Sequence, residues 1–166
     1  MTLQYSQINY LSSKQIDLGV IRDAIDLCQA GQLFYSQTIA DMDDYNFKRI
    51  FMDMAATRRS MLQHLVPLFQ RIKQGEVASY DVQPISSSSF ITGYAHASDA
   101  IKQDKLWTAV GWLLDVEQQA LNQLKSAARQ VTNKEVAQQL AEGCAWLQME
   151  CDSMKSLYVG SKNAAN

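Results

Sequence analysis

Glu117 is the residue of this chain whose position most strongly indicates chemistry. It lies near the centre of residues 104–131, where apolar residues recur every three or four positions, the period of one helical face. A carboxylate at such a core position is costly unless a cation, a metal ion or several hydrogen-bond donors accompany it. Two earlier helical segments are interrupted in the same way, by Gln32 and Arg58. Because each interruption lies near the middle of its helix, we predict that Gln32, Arg58 and Glu117 meet as one polar layer.

Two kinds of partner could satisfy Glu117 in such a layer. A pair of metal ions in a helical bundle is held by a Glu from each of two helices and a Glu-x-x-His motif from each of the others. The chain has five glutamates and two histidines, and no glutamate lies three positions before His64 or His96. The pattern therefore predicts that the Arg58 guanidinium pairs with Glu117 and donates to Gln32 Oε1. The alternative is that Arg58 extends to the surface and Glu117 meets water between helices.

Four long helices are predicted to position this layer. Apolar residues at helical spacing define them, and they form a single domain over residues 13–160 with flexible ends at 1–12 and 161–166. We predict Asp104 as the cap of the third helix and a capping box of Thr132 and Glu135 at the start of the fourth. Pro67 should kink the second helix or end its regular part. The predicted helices cover residues 15–42, 45–73, 104–130 and 133–159.

The connection between the second and third helices is unusually long. It covers residues 75–103, whereas neighbouring helices in bundles are usually joined by about two to eight residues. Pro84 and four consecutive serines mark a loop, and a short helix over residues 90–103 follows, although Gly93 weakens it. A connection of this length can cross a whole bundle. We therefore predict an all-α fold, a ferritin-like four-helix bundle with a long crossover between helices 2 and 3.

Composition narrows the classes of partner. The formal charge of −2 gives no general attraction to nucleic acids, and no apolar run approaches the roughly 20 residues of a membrane span. The first ten residues lack the apolar stretch of a signal peptide, so we expect a cytoplasmic protein. Trp107, Trp112 and Trp146 cannot all fit one apolar seam. We therefore expect one of them at a contact between copies, most simply in a dimer.

Three stretches resemble a known bacterial family. They are residues 28–35 (CQAGQLFY), the serine-rich run that ends in Gly93-Tyr94-Ala95-His96, and residues 116–121 (VEQQAL). Together they resemble the domain of unknown function 2383, a family of ferritin-like four-helix bundles, over residues 17–157. The resemblance implies a glutamate at position 32 and a histidine at position 151, where this chain has Gln32 and Cys151. It implies no activity, because none is established for the family.

Three functions remain open at this point. The first is a non-catalytic bundle without a cofactor, which acts as a structural or protein-interaction module around a degenerate metal centre. The second is a ferritin-like metal-binding protein or oxidoreductase, which would hold iron or manganese at the four positions Gln32, Glu117, Gln148 and Cys151. The third is a small-molecule or haem pocket in the core, near Cys144, Cys151 or Tyr35. The first is favoured because most carboxylate and histidine ligands are missing.

Overall fold

The protein is all-α. A computed structural model describes residues 2–74 and 88–164, with side chains over 13–74 and 92–163, and no β-strand occurs within these ranges. The all-α prediction is therefore confirmed. None of the described helices has the length and apolar character needed to cross a membrane. Within these ranges the chain forms five α-helices: α1 (Thr2–Thr38), α2 (Tyr45–Lys73), α3 (Ser88–Lys102), α4 (Leu106–Ala128) and α5 (Lys134–Ala164). A short 3-10 helix, Ile39–Asp41, follows α1.

The long helices α1, α2, α4 and α5 form a bundle. Helix α1 packs against α2, α2 against α5, and α5 against α4. Asp17, in the first half of α1, bonds Thr132 beyond the end of α4, whereas Tyr35, near the end of α1, bonds Glu117 in the middle of α4. Helices α1 and α4 therefore run in opposite directions. Since α1 and α2 are antiparallel neighbours, α2 and α4 run in the same direction, and the connection between them must return along the bundle.

Helix α3 belongs to this connection and packs against both α4 and α1. Its inner face is buried and combines two alanines with two larger side chains: Tyr94, Ala97, Ala100 and Ile101. We predicted Gly93 to weaken this helix, but its lack of a side chain has a packing role. A Cβ atom at Gly93 would lie 2.6 Å from Val116 Cγ2, so glycine allows α3 to approach α4 closely. The rest of the predicted crossover, residues 75–87, lies outside the described residues.

Three helix ends differ from the sequence prediction. Helix α1 begins at Thr2, within residues that we expected to be irregular, because no proline or glycine occurs before Gly19 to interrupt it. Helix α1 ends at Thr38, before the predicted residue 42, whereas α2 continues through Pro67 to Lys73, the end that the predicted range 45–73 gives it. Helix α5 continues past Gly160 to Ala164. An isolated glycine costs a helix only about 1 kcal/mol, which an established helix tolerates.

The predicted cap of the third helix is also wrong. Lys105 occupies the N-cap position of α4 and makes no side-chain cap bond, while Asp104 adopts φ 57°, in the left-handed region. The tight turn from α3 to α4 requires this conformation, which Asp tolerates better than most residues. At the start of α2 the acidic turn does provide a cap. The Asp44 side chain accepts a hydrogen bond from the Phe47 N–H at 3.0 Å.

The capping box predicted at the start of α5 does not form. Asn133 is the cap instead, and its Oδ1 accepts hydrogen bonds from the backbone N–H groups of Glu135 and Val136. Thr132 is engaged elsewhere, because its N–H and its hydroxyl both donate to Asp17, each at 2.9 Å. A third bond, from the Asn133 N–H, completes the partners of the buried Asp17 carboxylate. The turn between α4 and α5 is thus fixed to α1.

Apolar side chains form two separate clusters in the bundle. One is rich in aromatic rings, including Phe34, Phe47 and Phe51, and the other is mainly aliphatic, including Ile21 and Leu140. Along every long helix the aromatic cluster lies towards one end of the bundle and the aliphatic cluster towards the other. The buried charged residues of α2 and α4 lie between the two clusters. The bundle therefore has a polar layer near its middle.

Candidate functional site

The Glu117 carboxylate is the centre of the polar layer. Its Oε1 accepts hydrogen bonds from two phenol hydroxyls, Tyr35 on α1 at 2.6 Å and Tyr94 on α3 at 2.7 Å. Its Oε2 accepts a bond from Arg58 Nη2 and forms an ion pair with it. Glu117 and Arg58 are only 3% and 2% exposed. Because the pair is buried and hydrogen-bonded, each charge compensates the cost of burying the other.

Contacts with α2 and α1 hold the Arg58 side chain in place. Its Nη1 donates to the carbonyl oxygen of Met54, one turn earlier on α2, at 3.1 Å. The guanidinium carbon lies 5.0 Å from the centre of the Tyr35 ring, a cation–π contact. Gly31 on α1 makes the space for this side chain, since a Cβ atom there would lie 2.6 Å from Arg58 Cδ. The presence of glycine in the middle of α1 thus has a steric reason.

A second carboxylate approaches Arg58 from α5. Glu150 Oε2 lies 3.9 Å from Arg58 Nη1, and Glu150 Oε1 accepts a hydrogen bond from the Thr57 hydroxyl. Among the described side chains, Glu150 Oε2 is the buried polar atom that has no hydrogen-bond partner. Burial raises the pKa of this carboxyl to about 7, although the Thr57 hydroxyl and the Arg58 charge act in the opposite direction. Arg58 therefore lies between the ion-paired carboxylate of Glu117 and the carboxyl group of Glu150, which releases its proton less readily than an ordinary glutamate.

The two tyrosines act as hydrogen-bond donors. Burial, and then the neighbouring charge of Glu117, raise the pKa of Tyr35 and of Tyr94 well above the usual value for a phenol. Burial alone would lower the pKa of Arg58, but the attraction of Glu117 opposes this and the pKa is raised overall. The phenols thus keep their protons and the guanidinium keeps its charge. The Glu117 site is a closed set of three donors around one acceptor group.

The structure joins only two of the residues that the sequence places in the layer. Arg58 and Glu117 are paired, but no hydrogen bond links the half-buried Gln32 to either of them within the described part of the chain. The expected Arg58–Gln32 bond is therefore wrong. The reason is the position of the inner face of α1, which is centred on Cys28, Gly31 and Tyr35 and leaves Gln32 at its edge.

The two predicted ligand positions on α5 have different environments. Gln148 lies at the surface between α4 and α5, where it accepts a bond from Lys125 at 3.0 Å and donates to Asp152 at 2.9 Å. Cys151 is buried near the layer, and burial followed by the charge of Glu117 raises the pKa of its thiol to about 12. Burial beside Glu117 therefore keeps this thiol protonated at neutral pH.

Sequence reasoning missed three members of the site: Tyr35, Tyr94 and Glu150. Both tyrosines occupy inward-facing positions of helical patterns, and we counted them there as apolar residues. A usable signal existed, because a buried tyrosine hydroxyl normally requires a hydrogen-bond partner and Glu117 needed donors. Glu150 gave no comparable signal. It lies beside the apolar seam of α5 and contacts α2 through the Thr57 hydroxyl, which donates a hydrogen bond to its Oε1.

The residues around Glu117 do not fit the pair of metal ions that a helical bundle with Glu and Glu-x-x-His ligands holds. The Arg58 guanidinium occupies the position beside Glu117 where a metal would have to bind. Within residues 13–74 and 92–163, no three His, Cys, Asp or Glu side chains are grouped closely enough to hold a metal ion. His64 is exposed and bonds the Ser60 carbonyl oxygen of its own helix, and the exposed His96 packs against Trp112. The cation that the structure places beside Glu117 is the Arg58 guanidinium.

Grooves between helices lie on the surface of the described part. One, of about 380 Å³, lies between α2 and α5 and is lined by Met61, His64 and Trp146, among others. Another, of about 640 Å³, lies between α4 and α5 and includes Cys144 and Lys125. Neither groove is lined by Tyr35 or Cys151, two residues of the core pocket considered for a small molecule or haem. Binding space is therefore found between helices at the surface.

Comparison of the chain with protein-family models, with curated proteins and with solved structures found no match. The resemblance to the domain of unknown function 2383 stays a prediction, and the chemistry of the site follows from its own geometry.

Proposed function

We propose that this protein is a non-catalytic, ferritin-like helical bundle that acts as a structural or protein-interaction module. The observation that supports this proposal most directly is that protein donors engage both oxygens of Glu117. Its two oxygens accept three hydrogen bonds, from Arg58, Tyr35 and Tyr94. A catalytic metal site keeps one coordination position open for water or substrate. The Glu117 cluster offers no such position, because each of its partners is a protein donor.

Burial of the cluster supports the same function. Arg58 and Glu117 are 2% and 3% exposed, and Tyr35 is fully buried. A substrate could reach these groups only if the helices separated, which would strand both charges. The cluster is therefore suited to holding helices together and not to binding a substrate.

The direction of the helices supports the ferritin-like part of the proposal. Helices α2 and α4 run in the same direction. Helix α3 lies between them in the sequence and packs against α4 and α1. This arrangement agrees with bundles that contain one long crossover. In addition, Glu117 and Arg58 lie at the middle of the bundle, the level at which such proteins hold two metal ions. We infer that Arg58 is a cationic substitute for metal at that level.

Self-association is a further part of the proposal. The Trp146 and Met149 side chains on α5 are 59% and 61% exposed, and Trp112 on α4 is 46% exposed. Large apolar side chains at such exposure are typical of residues that contact another protein. A dimer is the simplest assembly that would cover one of these surfaces.

Elemental analysis tests the proposed function directly. Purified protein would be incubated aerobically with iron or manganese, desalted and analysed by plasma mass spectrometry. We expect almost no metal per chain, and the same result for Glu117→Gln. Glu142→Gln is the matched control, because it makes the same change of charge on an exposed glutamate. One or two metal ions per chain, lost in Glu117→Gln and kept in Glu142→Gln, would show instead that the cluster is a metal centre.

A further inference from the structure

The groove between α4 and α5 has an unusually small floor. Four of its lining residues are alanines, and three of these, Ala137, Ala141 and Ala145, lie four positions apart on α5. Residues at this spacing share one helical face, and they extend roughly 12 Å at about 1.5 Å per residue. Ala141 and Ala145 are exposed, so no longer side chain covers them. Another helix could therefore approach closely along this row.

The charges around the groove are an independent observation. Lys125 and Arg129 line the wall formed by the end of α4, and no carboxylate lines the groove. The chain as a whole has a formal charge of −2, so this surface has the opposite sign to the molecule. Lys125 donates one bond to Gln148 at 3.0 Å, which directs its ammonium across the groove and leaves further N–H donors for a ligand. Arg129 is exposed and has its guanidinium available.

We propose that this groove binds an amphipathic helix of a partner protein, with leucine-sized side chains over the alanines and two acidic residues opposite Lys125 and Arg129. Since the two cations lie four positions apart, carboxylates four positions apart on the partner helix match them in spacing. The groove is shallow and open to solvent, whereas a small amphiphilic molecule needs a site that encloses most of its surface. The inference rests on the proposed function and names the partner class of that interaction module.

Fluorescence anisotropy with a labelled synthetic peptide tests this inference. The probe is a helical peptide with leucines spaced three and four apart and two glutamates four apart beside them. A control peptide has lysines in place of the glutamates. We expect saturable binding of the acidic probe only, weakened at least about tenfold by Lys125→Glu/Arg129→Glu, because both ion pairs become repulsive. Higher salt should weaken it as well.

Two further variants separate the groove from general effects of charge and folding. Lys48→Glu/Arg49→Glu makes the same change of net charge on α2 and should leave the affinity unchanged. Ala141→Trp fills the floor at an exposed position and should abolish binding while the far-UV circular dichroism stays that of the wild type. No saturable binding below about 1 mM acidic peptide would overturn the inference. Equal affinity of the wild type and of Lys125→Glu/Arg129→Glu for the acidic peptide would also overturn it. The fatty acid dodecanoate tests the groove for a small amphiphilic molecule, and binding of dodecanoate without binding of the peptide would overturn the inference as well.

Failure of this test can be distinguished from failure of the proposed function. The metal analysis depends on the buried Glu117 cluster, whereas the peptide assay depends on surface residues of α4 and α5. A protein that binds neither metal nor peptide would still be a non-catalytic bundle, with its partner surface elsewhere. A protein that binds metal at Glu117 would refute the proposed function whatever the result with the peptide.

Discussion

The energetic coupling between Arg58 and Glu117 gives the strongest test of the site. Replacing Glu117 by Leu removes the acceptor of three buried donors. An uncompensated buried charge costs about 3–5 kcal/mol, and each of the Tyr35 and Tyr94 hydroxyls adds about 1 kcal/mol when its bond is lost. We therefore expect Glu117→Leu to lower the free energy of unfolding by about 5 kcal/mol. Arg58→Met should cost about 3 kcal/mol, because Glu117 keeps its two phenol donors.

The double variant Arg58→Met/Glu117→Leu should be far more stable than the two single effects predict. Both charges are then absent, and the remaining cost is the two unpaired phenols, about 2 kcal/mol together. Without the two tyrosines, replacing the buried pair by apolar residues would be nearly neutral. Adding Tyr35→Phe and Tyr94→Phe to the double variant should recover about 1 kcal/mol each. Urea unfolding followed by circular dichroism measures all of these differences.

The chain contains a matched control for this cycle. Arg71 on α2 and Glu135 on α5 form the same type of ion pair through two bonds of 3.2 Å, but their side chains are 61% and 53% exposed. The coupling of this exposed pair should be below about 1 kcal/mol, whereas that of Arg58 and Glu117 should exceed about 3 kcal/mol. If the effects of Arg58→Met and Glu117→Leu simply add in the double variant, the buried pair does not stabilise the fold as we describe.

Two other predictions concern the surroundings of Arg58. Gly31→Ala should destabilise the protein by about 1–3 kcal/mol, because its Cβ would lie 2.6 Å from Arg58 Cδ. The control is Gly160→Ala, whose Cβ would have nothing within 4 Å and which should be neutral or stabilising by up to about 1 kcal/mol. If urea unfolding shows equal effects for the two variants, Gly31 does not have the steric role that we assign to it. The pKa of Glu150, about 7 in the fold against an ordinary 4.5, means that the unfolded chain releases this proton first as the pH rises. The free energy of unfolding of the wild type, measured relative to that of Glu150→Gln, should therefore fall between about pH 4.5 and pH 7 and then become level. Parallel pH curves for the two proteins would refute this assignment.

Much of the fold could be predicted from helical periodicity. The four long helices depend on many apolar residues at repeated spacing, and a single misread residue does not change such a pattern. The helix ends depend on a few local bonds, and there tertiary contacts decided the outcome. Thr132 has the right side chain to cap α5, but Asp17, far away in sequence, takes both of its donors. No pattern within residues 132–135 could indicate that competition.

The charged pair could also be predicted, because polar residues that interrupt an apolar seam are conspicuous. Arg58 and Glu117 were found in this way, and the structure brings them together. Gln32 was assigned to the layer by the same reasoning, but a shift of one position around α1 places Gly31 inside instead. Periodicity locates a helical face to within about one residue, which is about 100° of rotation. It cannot decide which of two neighbouring positions faces a partner.

The partners of Glu117 explain how the polar layer specifies the packing of the helices. Apolar side chains can exchange neighbours if a helix slides by one turn, since hydrophobic contact is not directional. Hydrogen bonds to Glu117 cannot, because they come from Tyr35 on α1, Arg58 on α2 and Tyr94 on α3 and meet within one carboxylate. Sliding any of these helices by one turn, about 5.4 Å, would leave a buried charge or hydroxyl unpaired. The cluster therefore penalises alternative registers, including detachment of α3 from α1 and α4. A core fixed in this way holds α1, α2 and α3 in one register around α4, while the bond from Lys125 to Gln148 joins α4 to α5 beside the groove that we propose as a helix-binding surface.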